Sequence, residues 1–214
     1  MGSSGLRGAA AAGWLAASIP RMDAERDGEE IEGAIRTLLA QIGEDPERPG
    51  LVGTPDRVAR MYGELTSGYR TDPDALINGA CYQVDYDEMV VVRDIEFYSL
   101  CEHHVLPFHG HAYIGYIAHE EIIGISKLSR LVRVFARRFT VQERVGVEIA
   151  DELVRVLEPH GVAVHLNATH LCTQMRGVRE GHSRTWTSFW RGNYENDPQL
   201  RTEFLQAAAQ TNSH

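Results

Sequence analysis

Val162-Ala163-Val164-His165-Leu166-Asn167-Ala168-Thr169-His170-Leu171-Cys172 decides how this chain is read. Val162, Val164, Leu166 and Ala168 alternate with more polar neighbours, the period-two pattern of a strand with one face turned to a core. Continued at the same period, that inward face ends on His170 and Cys172. A buried histidine or a free cysteine is ordinary when met singly. The pair gains meaning from Cys101-Glu102-His103-His104, which lies far earlier in the chain.

Cys101 and His104 have the C-x-x-H spacing with which one turn can chelate one ion. With Cys172 they make two thiolates and an imidazole, a set that zinc takes in open catalytic sites. Three protein ligands leave a fourth position for a water, whose pKa falls to about 7. A closed structural finger more often supplies four ligands in two short pairs, so the split set points to hydrolytic chemistry. The expected metal ligands are Cys101, His104 and Cys172. His103 and His170 are left over. Imidazole titrates near neutrality, which suits either as a proton carrier, and either could instead be a fourth ligand closing a structural site. Cys81 has no partner motif and is expected to be no ligand.

Outward from these motifs the pattern is helices, strand pair, helix pair, strand pair. Ile31, Ile35, Leu38, Leu39 and Ile42 recur at helical spacing and predict a helix over 29–42 closed by Gly43. Thr54-Pro55-Asp56 combines a capping hydroxyl, a proline and an acid, and opens a helix running to about Ser67. Strands are expected from Met89 to Tyr98 and from His111 to Ala118, then helices over 127–138 and 142–157. The opening stretch and a last strand over 183–191 complete the pattern. This is an α+β order, with helices on one face of an antiparallel sheet. Residues 1–24, Ala-rich behind Arg7, read as a flexible extension or a start set too early. Residues 25–80 read as an N-terminal helical region and 81–210 as the catalytic domain.

Composition narrows the function. The chain has 214 residues, 43% apolar and 24% charged, as in a soluble globular protein. A formal charge of -9 argues against an overall nucleic-acid surface. Three cysteines, two of them in the ligand set, make no even disulfide framework and fit a reducing cytosol. No apolar run is long enough to cross a bilayer.

Against the acidic balance, Lys127, Arg130, Arg133, Arg137, Arg138 and Arg144 cluster with Glu143 as the one acid among them. Lys127 and Arg130 lie on one face near a helix start, where phosphate is readily bound. A solvated helix face is an equal reading. Arg176 and Arg179, just beyond Cys172, tilt the balance toward a polyphosphate substrate. Thr140-Val141-Gln142-Glu143 fits a capping box, while Gln142 and Glu143 could equally present an amide and a carboxylate to a purine edge.

Taken together, Cys101-Glu102-His103-His104 with Pro107-Phe108 and Gly110, Gly124-Ile125-Ser126-Lys127-Leu128 with Arg130, Arg137-Arg138, Val141-Gln142-Glu143-Arg144, and Ala168-Thr169-His170-Leu171-Cys172 with Met175-Arg176-Gly177-Val178 resemble GTP cyclohydrolase I. The Thr54-Pro55-Asp56-Arg57 helix start fits too, and the likeness covers about residues 30–206. The resemblance implies zinc on Cys101, His104 and Cys172, and proton transfer by His103 and His170. It puts Gln142 and Glu143 on the guanine edge, Arg57, Lys127, Arg130 and Arg176 on the triphosphate, and Ser126 against the ribose. It also implies conversion of GTP to 7,8-dihydroneopterin triphosphate and formate, the first step toward pterins and tetrahydrofolate. The implied architecture is the tunnelling fold, a toroidal homodecamer with its sites between subunits. Thr140 departs from the glutamine of many relatives and favours the capping box. Ser183–Thr187 keeps the two threonines of the family but carries Trp186, with Trp190 beyond it, and neither tryptophan has an assigned role. The alternatives are a catalytically silent zinc protein of this fold that binds pterin or a partner, and a purine deaminase, whose H-x-E and P-C-x-x-C signature is absent.

Overall fold

The computed structural model describes residues 24–209. The expected extension over 1–24 falls outside them except for Ala24. The chain divides into one compact unit ending at Ala59 and another beginning at Arg60.

In the first unit, α1 (Ala24–Gln41) carries the expected helical spacing. Gly43, at φ 92°, closes it in the left-handed conformation that glycine adopts without steric cost. Ion pairs Arg48–Glu44 and Arg36–Glu47 brace the turn-rich connector. Helix α2 (Thr54–Leu65) starts on Thr54-Pro55-Asp56, as its sequence requires.

The second unit is built on a five-stranded sheet. Its strands are β2 (Met89–Cys101), β3 (Pro107–Ile117), β5 (Phe139–Thr140), β6 (Gly161–His170) and β7 (Thr185–Gly192), in the order β5-β2-β3-β6-β7. The long pairs are antiparallel, while β5 adds a short parallel edge beside Leu100 and Cys101. A second, two-stranded sheet joins β1 (Cys81–Gln83) to β4 (Glu121–Ile123).

Helices α4 (Ile125–Ala136) and α5 (Gln142–Leu157) cover one face of the large sheet. Leu128, Leu131, Val132 and Phe135 on α4, with Val145, Ile149 and Leu153 on α5, are buried against inward residues of β2, β3 and β6. Burying each such side chain stabilises the fold by about 1.5–3 kcal/mol. Gly146 permits a close approach: a Cβ there would stand 2.0 Å from the Phe189 ring of β7. On the other face a smaller apolar group, Ile117, Ala163, Tyr194 and Phe204, gathers under the C-terminal helix α8 (Pro198–Ala209).

The sheet carries one irregularity that matters for the site. Val92 pairs with Ile114 and Ile95 with Ala112, so Arg93 and Asp94 together oppose Tyr113 alone. This is a bulge, with Asp94 at φ 55° taking the conformation an aspartate tolerates. Before it, even-numbered Val90 and Val92 pack on the helix side; after it, odd-numbered Ile95, Phe97 and Cys101 do so.

Two expectations are corrected. Strand β6 stops at His170, and Leu171–Gln174 forms a helical turn, α6. His170 and Cys172 therefore do not share a strand face. The turn is closed by Thr173, whose hydroxyl donates to the His170 carbonyl at 3.0 Å. The capping box is also absent. Val141 is the N-cap of α5 with no side-chain cap bond, and Thr140 is drawn into β5. The sequence pattern does not reveal the short elements α3 (Pro73–Ile77), β1, β4 and α7 (Asn193–Asn196), nor helix α8.

Candidate metal centre and its surroundings

Strand β2 ends at Cys101 and turns back sharply into β3. The Cys101 amide donates to the Leu106 carbonyl at 2.8 Å, and the amides of His104 and Val105 donate to the Cys101 carbonyl at 3.3 and 2.9 Å. Val105 sits at φ 57°, a costly conformation for a β-branched residue. This tight turn swings His104 back over Cys101, with the His104 Nδ1 3.8 Å from the Cys101 Sγ. Helical turn α6 brings Cys172 to the same place.

The ligand atoms of Cys101, His104 and Cys172 all lie within 4.8 Å of one another. Donors around a tetrahedral zinc with 2.3 Å bonds to sulfur stand about 3.8 Å apart, so the set fits such an ion with small adjustment. Both thiols are buried and unpaired by any disulfide. Burial, and next the Cys101 thiol, push the Cys172 thiol pKa above its ordinary value, with Arg176 opposing. Two crowded thiols beside an exposed imidazole are a donor set that a divalent cation would relieve. Among the described residues no other cluster of this kind occurs. Cys81 lies on β1, away from it.

The remaining histidines differ. His103 is exposed, its Nδ1 3.8 Å from the Cys101 Sγ. His170 is half-buried, and the Phe108 ring lies parallel to it at 4.7 Å between centroids. This stack follows from the direct pairing of Phe108 with His170 in the sheet. Burial pushes the His170 pKa down, while the Glu143 carboxylate pulls it up. That interaction puts the exposed Glu143 on the His170 side of α5. Gln142 is the reverse of exposed: it is 1% accessible, and its Oε1 lies 2.9 Å from the His170 Nε2.

The cationic cluster proves to be two populations. Arg144 makes a two-pronged bond to Glu102, inside the ligand turn, at 2.8 and 3.4 Å. Arg138 faces Glu148 at 3.6 Å and lies over the rings of Phe135 and Tyr69. These two brace the structure. Arg130, Arg133 and Arg137 instead line a cavity of about 170 Å³ with Ser67, Gly68 and Thr71. Lys127 donates to the Leu76 carbonyl at 2.6 Å. Arg57, in the first unit, donates to the Thr54 hydroxyl at 3.1 Å.

Ser126 and Lys127 open α4, whereas its far end leads to Arg138 and Thr140, whose carbonyls accept from Leu100 and Glu102. About 15 Å of helix separates Ser126 from Ala136. One chain thus groups Cys101, His104, Cys172, His103, His170 and Glu143 at one end of the sheet, and keeps Ser126 and Lys127 at the other. Sequence reasoning missed two contributors to the first group. Phe108 gave no signal of its role beyond its place after the ligand turn. Glu102 could have been sought as the partner of Arg144, since the cation run lacked acids.

No helix among the described residues is long and apolar enough to cross a membrane. A family model described as GTP cyclohydrolase I matches residues 31–209. The "GTP cyclohydrolase 1" of Leptospira biflexa is 51% identical over 184 residues, 86% of this chain and 100% of its own. That of Chlorobium chlorochromatii is 49% identical over 178 residues, 83% of this chain and 80% of its own. That of Alkalilimnicola ehrlichii is 48% identical over 178 residues, covering 83% and 96%. With such likeness over nearly all the described residues, and with an α+β sheet of the tunnelling-fold kind ending in a Cys-His-Cys cluster, the chain belongs to the GTP cyclohydrolase I family.

Proposed function

We propose that this chain hydrolyses the imidazole ring of GTP and rearranges the product to 7,8-dihydroneopterin triphosphate and formate, with zinc held by Cys101, His104 and Cys172. The observation that carries this reading is the convergence of those donors, within 4.8 Å, in a chain of this family. A zinc ion there supplies the Lewis acidity that makes water nucleophilic near neutral pH.

The protein's own groups do the rest. Guanine C8 becomes attackable once N7 carries a proton, and His170 is the proton carrier at that atom, with His103 the second. Water adds at C8, the C8–N bonds break in two hydrolyses, and formate leaves. The opened ribose then undergoes an Amadori-type rearrangement and closes on the amine with loss of water. The Glu143 carboxylate accepts from the guanine N1–H and 2-amino group, and its exposure beside His170 supports that role. Lys127, Arg130, Arg176 and Arg57 hold the triphosphate through charge-assisted bonds. Ser126 lies against the ribose.

These roles require more than one copy. Ser126 and Lys127 stand at the opposite end of α4 from the ligand turn, so a neighbouring chain must bring its own to complete the site. A toroidal decamer does this and pairs the open edge of β7. The free thiols suit a reducing cytoplasm. Incubating zinc-loaded protein with GTP, and following formate and the oxidised, fluorescent pterin, tests the reaction. Sedimentation at assay concentration tests the assembly, and an active monomer would overturn it.

A further inference from the structure

Gln142 sits at the start of α5, yet its side chain points inward and is 1% accessible. Its Nε2 lies 3.2 Å from the Leu166 carbonyl, 3.0 Å from the Thr185 carbonyl and 3.0 Å from the Thr187 hydroxyl oxygen. The two carbonyls can only accept, so the amide group facing them must be the NH₂ end. The orientation of this amide is therefore fixed by chemistry. Its Oε1 is left facing the His170 Nε2 at 2.9 Å, and an oxygen there can only accept. His170 must accordingly carry a hydrogen on Nε2 and donate it to this oxygen.

We infer that Gln142, anchored by Thr185 and Thr187, is a positioning residue that fixes the tautomer and ring orientation of His170. The Phe108 ring, parallel to the imidazole at 4.7 Å, holds the plane while Gln142 holds the rotation within it. The threonines of β7 thereby gain a role, since the hydroxyl of Thr187 and the carbonyl of Thr185 orient the amide that orients the histidine. On the guanine edge, by contrast, the Gln142 amide would have to give up its bonds to Leu166, Thr185, Thr187 and His170. The inference rests on the reading of His170 as proton carrier.

The test is a kinetic one on the zinc-loaded enzyme. Gln142→Met keeps the length and removes the bonds; its kcat for GTP should fall about 10–100-fold through misplacement of the ring. KM should stay within about twofold and zinc content should be unchanged, since neither substrate nor metal is touched. Thr187→Val should lower kcat by a smaller factor, and Thr187→Ser should restore it. In a double-mutant cycle, Gln142→Met should cost nothing further in a His170→Ala background. A raised KM with kcat preserved would return Gln142 to the guanine edge and overturn the inference, as would additive losses in the cycle or loss of zinc. If Gln142→Met does not fold, the Thr187 pair decides, and equal kcat for Val and Ser overturns the inference. Normal turnover by His170→Ala alone defeats the proton-carrier reading instead, so the two failures are told apart.

Discussion

Gln142 and Tyr194, buried at opposite ends of the central sheet, have their polar atoms satisfied to opposite degrees. At the end where β2 and β6 stop, Gln142 is buried with its amide bonded on both sides, and even the exposed ligand turn is tied down by Arg144 and by its own backbone. At the other end, Tyr194 is wholly buried against Trp190 and Phe204, and its hydroxyl has no partner. A buried hydroxyl left unbonded costs about 1–3 kcal/mol. Unpartnered buried atoms are not confined to that end, since the Asn167 Oδ1, Arg138 Nε and Glu148 Oε2 also lack hydrogen bonds. The contrast teaches that the amide touching His170 is bonded on both sides while a hydroxyl that only packs is not.

The largest expected effect separates the ends outright. Cys101→Ser or Cys172→Ser should abolish metal binding and all release of formate, while Cys81→Ser should do neither; metal analysis after gel filtration checks this. Full metal retention by Cys172→Ser would remove the distinction of that end. Next, Phe204→Ala at the packing end should lower unfolding stability by about 3–5 kcal/mol, because Phe204 is fully buried and fills the space left by Gly115. Denaturant titration measures it. Metal content of the folded variant should be unchanged, and release of metal would mean that the ends are mechanically coupled.

A smaller effect tests whether the far end of α4 also serves chemistry. Lys127→Ala should weaken GTP about tenfold or more relative to guanosine, a charge-assisted bond being worth about 1.5–3 kcal/mol. Equal losses for both ligands would assign Lys127 to structure, through its bond to Leu76. The smallest effect concerns Tyr194, whose pKa burial pushes from 10.0 up to about 12. Between those values the unfolded chain ionises and the folded one does not, so stability should fall as pH rises from about 10 to about 12. Tyr194→Phe should remove that loss and add about 1 kcal/mol at neutral pH, both read from melting curves. A less stable phenylalanine variant would show that the hydroxyl has an unrecognised partner.

Much of this was legible in the sequence because period-two and period-3.6 patterns report which face is buried. Cys101, His104 and Cys172 were legible as types, since thiols and imidazole are rare together. Cys172 nevertheless reaches the site by another route than alternation implies: β6 does not continue, and Thr173 closes a helical turn after His170. The capping box failed for a related reason, because β5 claims Thr140 for the sheet. Local grammar cannot weigh a cap against a strand pair formed with residues about forty positions away. Nor could it show that Gln142 turns inward, because an amide at a helix start is usually wet; only the carbonyls of β6 and β7 make burial tolerable there.

The bulge at Arg93-Asp94 has a consequence for how this chain can vary. A side-chain substitution at either position leaves the alternation beyond it intact. Deleting one of them would leave a single residue opposite Tyr113 and a regular ladder, with Ile95 still on Ala112 and Cys101 still on the helix side. Deleting one residue between Ile95 and Cys101, where no bulge absorbs the change, would instead put Cys101 on the opposite face. Loss of one peptide unit from that regular stretch should thus empty the candidate metal centre as surely as replacing the cysteine, whereas the bulge can lose its extra residue without that effect. Beyond the bulge, chain length along β2 is as strict a heritable constraint as residue identity, and drift there must proceed by exchange, while the bulge itself has a residue to spare.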